Sequence, residues 1–132
     1  MIGLISDISE IKAAERAITE SRNLLLTVID TVPARVYWKD RELRYLGCNR
    51  FFAADLGLDN PSAVIGRSDG DLISKEQAAA PDVSAEERAV IETGFARLYV
   101  EQARTTTDGR TIWLRHSTAP LRNAENDVIG LL

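Results

Sequence analysis

The chain has 132 residues, of which 45% are hydrophobic and 27% charged, and its formal net charge is −4. This balance fits one globular domain, and the negative charge without a basic stripe weighs against nucleic acid as a partner. The single cysteine, Cys48, excludes an internal disulfide and favours a reducing, cytoplasmic location. The apolar runs fall far short of the ~20 residues that span a bilayer. No membrane contact is therefore predicted within this chain, although a parent protein could be anchored elsewhere.

A long helix is predicted at the N-terminus. Ser6 or Asp7 can cap it, and Glu10 stands three residues after Asp7, as a capping box requires. No helix breaker follows until Pro33, so the helix is expected to end near Asp30.

Apolar residues recur along this helix at the spacing of a coiled coil. The strong heptad positions are Ile11, Ile18, Leu25 and Val32, and the positions three further on are Ala14, Ser21 and Val28. Two interpretations stay open. The stripe is either a coiled-coil seam or the inner face of an amphipathic helix that packs on its own domain.

A hairpin and a short helix are predicted next. Residues 36–40 and 45–49 have strand character and flank a polar turn. Asn49 is expected to cap a short helix over residues 50–56, and Gly57 is expected to terminate it.

Further short helical segments follow. One ends at Gly66, and another is predicted over residues 72–80, up to Pro81. Asp69 and Asp71 are interpreted as solvated loop and cap residues rather than as paired carboxylates, because aspartate is favoured at such positions.

A last helix leads into the C-terminal strands. Ser84 with Glu87 forms a second capping box before a helix over residues 85–93, which Gly94 ends.

The C-terminal quarter predicts an antiparallel meander. Asp108-Gly109 is a strong hairpin signal between strands over residues 95–106 and 111–121. Pro120 lies where a ladder ends or where its missing N–H does no harm. A last strand is expected from Val128, cut short where the sequence ends. By alternation, one face of the 111–121 strand carries Ile112, Leu114, His116 and Thr118, and the other carries Trp113, Arg115, Ser117 and Ala119.

This order of elements predicts an α+β fold with one antiparallel sheet and helices over one face. The segments that carry a family resemblance are Trp38-Lys39-Asp40, Tyr45 to Phe52, Val64 to Arg67 with Asp69 and Asp71, Glu92-Thr93-Gly94, Asp108-Gly109-Arg110 with Trp113, and Pro120-Leu121 with Gly130. In this order the chain resembles the PAS sensor domains. Residues 3–10 resemble the end of a second, preceding PAS domain.

The resemblance implies a five-stranded antiparallel sheet in the order 2-1-5-4-3. It also implies a connector or dimerisation helix over residues 1–32 and a sensor domain over residues 33–132. The implied function is signal reception without catalysis, in a larger bacterial-type protein such as a sensor histidine kinase of a two-component system or a cyclic-dinucleotide enzyme. The alternative is a ligand-free dimerisation or scaffold domain.

Catalytic and cofactor signatures are missing from the sequence. Its glycines do not form a phosphate-binding loop, and one histidine with one cysteine is too few for an ordinary metal site. The flavin photoreceptor members of the family need a cysteine on a helix of the Asn-Cys-Arg-Phe-Leu-Gln type, whereas Cys48 lies at the predicted second strand, before the first short helix. The usual haem histidine would lie within residues 85–93, which contain none. Haem and covalent flavin are therefore not expected.

A small organic ligand is the expected occupant of a pocket, if the pocket is open. The resemblance places the inner face of the fourth strand against that pocket. The expected ligand-binding residues are His116, Tyr37, Leu114, Thr118, Phe52 and Ile112. The alternative is that His116 is a core histidine with local hydrogen bonds.

A homodimer is also predicted. The family register leaves Trp38 and Trp113 on the outer face of the sheet, where an uncovered pair of tryptophans would form an apolar patch. The expected cover is the N-terminal helix of the same chain or of a partner, through Ile11, Ile18, Leu25 and Val32.

Overall fold

The computed structural model describes residues 3–72, 84–105 and 108–132, and of residues 104 and 105 the backbone alone. The chain divides into two units, residues 1–33 and residues 34–132. The predicted helix over 72–80 and its break at Pro81 lie outside the described residues, apart from Leu72. Within the described ranges, no helix combines the length and apolar character needed to cross a membrane.

The first unit contains helix α1, Ser9–Thr31. The N-cap of α1 is Ile8, which makes no side-chain capping bond, so the predicted cap at Ser6 or Asp7 is wrong. The Asp7 carboxylate lies just before the helix and accepts a hydrogen bond from the Ser9 N–H at 2.9 Å. Hydrogen bonds from the side chain and backbone of Ser9 hold the pKa of Asp7 below its usual value. The helix ends two residues before Pro33, as predicted, and none of its residues is buried.

The second unit begins with a hairpin of β1, Tyr37–Asp40, and β2, Tyr45–Cys48. Helix α2, Arg50–Asp55, follows directly. Buried Asn49 joins the two parts, because its side chain accepts from the N–H groups of Phe52 and Val36 and donates to Ala34. The predicted cap at Asn49 is confirmed.

Among the residues that the structure describes, three more helical segments precede the remaining strands. They are a 3₁₀ helix, Pro61–Val64, then α3, Asp69–Leu72, and α4, Ser84–Thr93. Gly94 follows α4 with a φ of 70°, in the left-handed region where glycine is favoured over other residues. The predicted end of this helix is confirmed.

The last strands are β3, Arg97–Thr105, β4, Thr111–Thr118, β5, Pro120–Arg122, and β6, Val128–Leu131. All neighbouring strands pair antiparallel. One sheet has the order β2-β1-β6-β5, and β3 with β4 forms a second, two-stranded ladder.

The predicted α+β fold is confirmed, with one correction to the strand order. The predicted strand over residues 111–121 is divided at Ala119: β4 pairs with β3, and β5 pairs with β6. Ala119 already exchanges two hydrogen bonds with Leu132. The division falls before Pro120, which has no N–H to continue a ladder. The predicted order 2-1-5-4-3 therefore holds only when β4 and β5 are counted as one strand.

The helices of the second unit pack on one face of the main sheet. We call this face, together with the side of β4 that carries His116, the inner face. One core cluster of buried residues contains Tyr45, Cys48, Ala53 and Val64, and another contains Leu43, Ile91 and Leu131. Strand β6 approaches β1 closely, because a Cβ built on Gly130 would lie 2.0 Å from the Lys39 carbonyl oxygen. Glycine at position 130 thus permits the pairing that holds β1 in the middle of the sheet.

Candidate ligand-binding site

A lysine lies in the centre of the inner face. Strand alternation puts Tyr37 and Lys39 of β1 on this face, and Lys39 has only 1% of its surface exposed. Its Nζ donates to Asp69 Oδ2 at 2.8 Å and to Glu87 Oε1 at 3.0 Å. Because a buried charge is costly unless it is paired, these two carboxylates are what makes an ammonium tolerable here.

Aromatic rings surround the same ammonium. Nζ lies 5.1 Å from the ring centroid of Tyr37 and 4.7 Å from that of Tyr45, within the range of cation–π attraction. Phe52 of α2 packs against both tyrosines, with centroid distances of 4.9 and 5.6 Å. The Tyr45 hydroxyl donates a short hydrogen bond to Asp69 Oδ1. Lysine, carboxylates and aromatic rings thus form one cluster, which we call the Lys39 cluster: Tyr37, Lys39, Tyr45, Phe52, Asp69 and Glu87.

Both tyrosines of the cluster are held in the protonated form. Burial raises the pKa of Tyr37 well above its usual value, and the negative charges of Glu87 and Asp69 raise it further. Burial also raises the pKa of Tyr45, followed by its hydrogen bond to Asp69. The Tyr45 hydroxyl is therefore a fixed donor at neutral pH.

Helix α4 connects the Lys39 cluster to the region around His116. Its buried face carries Glu87, Val90 and Ile91. Glu86, the residue before Glu87, has one carboxylate oxygen 3.2 Å from His116 Nε2. Its other carboxylate oxygen lies 3.5 Å from an Arg97 guanidinium nitrogen. Glu86 thus pairs with His116 and Arg97, and its neighbour Glu87 pairs with Lys39.

The predicted ligand-binding residues fall into two groups. Tyr37 and Phe52 belong to the Lys39 cluster. Along β4, Ile112, Leu114 and His116 are half-buried and Thr118 is buried, while the residues between them are exposed. The alternation predicted for β4 is confirmed, and His116 lies on the inner side with Glu86 as its partner.

The two tryptophans differ in their surroundings. Trp113 is 72% exposed on the outer side of β4. Trp38 is half-buried, because its ring lies across Gly47 of β2, where an added Cβ would come within 2.4 Å of the ring. A glycine in the neighbouring strand therefore already covers part of Trp38.

Sequence reasoning missed Lys39, Tyr45, Glu86 and Glu87 as site residues. It also treated Asp69 as a solvated loop residue, which is wrong, because Asp69 binds Lys39 and Tyr45. Asp71 lies within α3 and accepts from the N–H and hydroxyl of Ser68, the residue before this helix. One available signal was overlooked: if Tyr37 points inward, Lys39 two residues later does so as well.

Cys48 and an open groove lie outside this site. Cys48 is buried in β2 and its Sγ contacts the Pro61 carbonyl oxygen at 3.7 Å. The groove, of about 470 Å³, lies at the C-terminal end of α4, and its lining includes Ile91, Arg122 and Val128. Among the described residues, no group of three or more histidine, cysteine or acidic side chains could hold a metal ion.

The comparisons with known proteins identify the family. The PAS fold family model matches residues 29–132, which is most of the chain, so this chain belongs to the PAS family. No curated protein matches the chain.

Solved structures share the fold at low sequence identity. A Vibrio cholerae VqmA dimer, studied without its target DNA, has a TM-score of 0.67 and 23% identity, over 81% of this chain and 47% of its own. The PAS domain of Bordetella pertussis BvgS has a TM-score of 0.60 and 23% identity, over 89% and 84%. A phage VqmA–DPO complex has a TM-score of 0.63 and 21% identity, over 92% and 53%. The chain thus spans about half the length of the VqmA proteins.

Proposed function

We propose that this chain is the sensory domain of a larger signalling protein and binds a small polar organic molecule on the inner face of its sheet. The host would be a sensor histidine kinase or a cyclic-dinucleotide enzyme, located in the cytoplasm or facing it. The domain itself has no catalytic role. Membership of the PAS family supports this proposal, and so does a similar structure described as VqmA bound to DPO.

The buried Lys39 cluster is the observation that carries the proposal. Replacing a buried ion pair by well-packed apolar residues is often neutral or stabilising, so stability alone gives little reason for Lys39 and Glu87 to be charged. A binding site does need such groups, because polar side chains among apolar walls orient a ligand. Half-buried His116, with the adjacent apolar residues of β4, would extend the site along the inner face.

Native mass spectrometry of the purified protein tests the proposal directly. We expect a mass excess of one small molecule per protomer, which is lost on denaturation. The variant His116→Ala should weaken binding about 2- to 13-fold, as loss of a hydrogen bond of about 0.5–1.5 kcal/mol implies. Arg115→Ala is the matched control, because Arg115 is the exposed neighbour on the outer side of β4. Equal weakening in both variants would exclude His116 as a ligand contact.

We also propose that the protein is a homodimer, with α1 contributing much of the interface. Ile11, Ile18 and Leu25 are exposed on this helix. Burial of each such side chain is worth about 1.5–3 kcal/mol. Replacing Ile18 and Leu25 by aspartate should therefore produce monomers in sedimentation at tens of micromolar concentration. Arg16→Asp with Asn23→Asp, at the heptad positions opposite the seam, should leave the dimer intact.

A ligand-free dimerisation domain is the second candidate function. It is favoured by the way Lys39 and Glu87 fill the interior with side chains already bonded to each other. The same mass spectra distinguish the two candidates, because this one predicts a dimer with no added mass. One similar VqmA structure is a complex with DNA. We nevertheless propose no nucleic-acid binding for this domain, because its net charge is −4.

A further inference from the structure

The Asp69 carboxylate is bound in the way that a protein binds a ligand carboxylate. Its Oδ2 accepts from Lys39 Nζ at 2.8 Å, and its Oδ1 accepts from the Tyr45 hydroxyl. The two donors come from neighbouring strands, β1 and β2, so the sheet fixes their separation. Charge-assisted hydrogen bonds of this kind are about twice as strong as neutral ones.

The two carboxylates on Lys39 differ in how firmly they are anchored. Glu87 is 2% exposed and belongs to the ten-residue helix α4, beside buried Val90 and Ile91. Asp69 is 34% exposed and is the first residue of the four-residue helix α3, none of whose residues is buried. Asp69 is therefore the partner that can leave Lys39 at the smaller cost in packing.

Residues 66 and 67, just before α3, are held to the sheet, so α3 can move without them. Residues 66 and 67 pair with β2 through two backbone hydrogen bonds of 2.8 Å between them and Tyr45. Ser68 follows, and its side-chain bond goes to Asp71 within the same short segment. Withdrawal of Asp69 therefore requires a change at α3 and leaves the strands in place.

We propose that the ligand sensed by this domain carries a carboxylate, which replaces Asp69 at Lys39 Nζ and the Tyr45 hydroxyl. This inference rests on the proposed function and names the chemical class of its ligand. The exchange keeps the net charge of the cluster unchanged, because one carboxylate takes the place of another. The hydroxyl and the ammonium are already oriented as donors, and the rings of Tyr37 and Phe52 offer apolar surface to the rest of the ligand. Binding would release Asp69 and α3, which links ligand binding to a structural change.

Rescue of Asp69→Ala by simple carboxylates tests the proposal. Removal of Asp69 leaves Lys39 and Tyr45 without this acceptor, so acetate or propionate should raise the melting temperature of Asp69→Ala saturably, compared with chloride at equal ionic strength. Propionate should bind this variant about tenfold or more tightly than it binds the wild type, in which Asp69 competes for the same donors. Asp71→Ala is the matched control on the same helix and should show no rescue.

The donor variants decide whether the rescue occurs at this site. Asp69→Ala combined with Lys39→Met should lose the effect of propionate. Equal stabilisation of Asp69→Ala by chloride, by inorganic phosphate and by propionate would overturn the proposal, as would rescue that survives the loss of Lys39. If Asp69→Ala does not fold, Asp69→Asn keeps the shape of the side chain, and its affinity for propionate should still exceed that of the wild type.

Failure of this inference can be told from failure of the proposed function. A neutral or cationic molecule found on the purified protein, together with no carboxylate rescue, would overturn only the ligand class. A protein that carries no added mass would count against the sensory function itself.

Discussion

On two parts of the inner face, a charged side chain is more deeply buried than apolar ones, which is the opposite of the usual pattern. On β1, the charged side chain of Lys39 is among the most deeply buried in the domain. On β4, the apolar side chains of Ile112 and Leu114 are only half-buried. The difference follows from what packs against each strand. Phe52, Asp69 and Glu87, from α2, α3 and α4, contact β1, whereas Glu86 of α4 makes a polar contact with His116 of β4.

The comparison teaches that the β1 and β4 sides differ in how their side chains are packed and paired. The β1 side is a closed polar cluster in which each charge depends on the others. The β4 side presents half-buried apolar side chains beside half-buried His116. Energetically, the β1 side should be sensitive to single substitutions and the β4 side tolerant of them.

The largest difference in free energy of unfolding is expected between substitutions of two cationic residues, Lys39 and Arg115. Lys39→Ala leaves Asp69 and Glu87 in the interior without their shared ammonium, which should destabilise the protein by about 3–5 kcal/mol. Arg115→Ala removes the exposed ion pair with Glu101 on β4, which should cost no more than about 1 kcal/mol. Urea unfolding of both variants measures the contrast. Similar losses would mean that Lys39 is not the centre of the buried cluster.

The next largest difference in stability is expected between alanine substitutions at two glycines, Gly130 and Gly109. At Gly130, an alanine Cβ would lie 2.0 Å from the Lys39 carbonyl oxygen, so Gly130→Ala must push β6 from β1 and should cost about 3 kcal/mol or more. At Gly109, in the β3–β4 turn, φ is 82° and the space is open, so Gly109→Ala should cost about 1–2 kcal/mol from the backbone alone. Thermal unfolding checks both. A mild Gly130→Ala variant would contradict the close pairing of β1 and β6.

Local features of this fold could be predicted from sequence because one or two residues encode each of them. Asn49 caps α2, Gly94 ends α4, and the Asp108-Gly109 turn sets the alternation along β4. Each depends on the conformational preference or hydrogen-bonding capacity of that residue alone. The division of the fourth strand at Ala119 could not be predicted, because Pro120 is compatible with either a ladder end or an unpaired edge.

The Lys39 cluster could not be predicted because it depends on distant parts of the chain. Lys39 is 30 positions from Asp69 and 48 from Glu87. Lysine and glutamate are almost never fully buried unless they are paired, so each residue by itself indicates an exposed site. Only the packing of α3 and α4 over β1 brings the three charges together. His116 was identified on the correct face, since alternation is local, but its partner Glu86 lies 30 positions away.

Two apolar side chains test whether the depth of burial, rather than the residue type, determines the loss in free energy of unfolding on replacement by alanine. Ile91 of α4 is buried against Leu43 and Leu131, so Ile91→Ala should cost about 2 kcal/mol or more. Leu114→Ala, on half-buried β4, should cost about 1 kcal/mol less than that, because less apolar surface is lost from the interior. Urea titrations of both variants at the same protein concentration measure the difference. Equal costs would mean that Leu114 on β4 is packed as fully as Ile91 in the core.

The smallest expected effect is a dependence of stability on alkaline pH that originates on the β1 side. Because the pKa of Tyr45 is raised in the folded protein, the folded state holds this proton more tightly than the unfolded state, where the pKa is about 10. The contribution of Tyr45 is therefore complete below about pH 10 and is lost as the pH rises further, by up to about 1.4 kcal/mol per pH unit. Tyr45→Phe should be less stable at neutral pH, having lost the bond to Asp69, yet its free energy of unfolding should fall less steeply above pH 10. Tyr99→Phe, at an exposed tyrosine, is the control and should keep the wild-type slope. If Tyr45→Phe keeps that slope as well, Tyr45 is not the group that links proton release to unfolding.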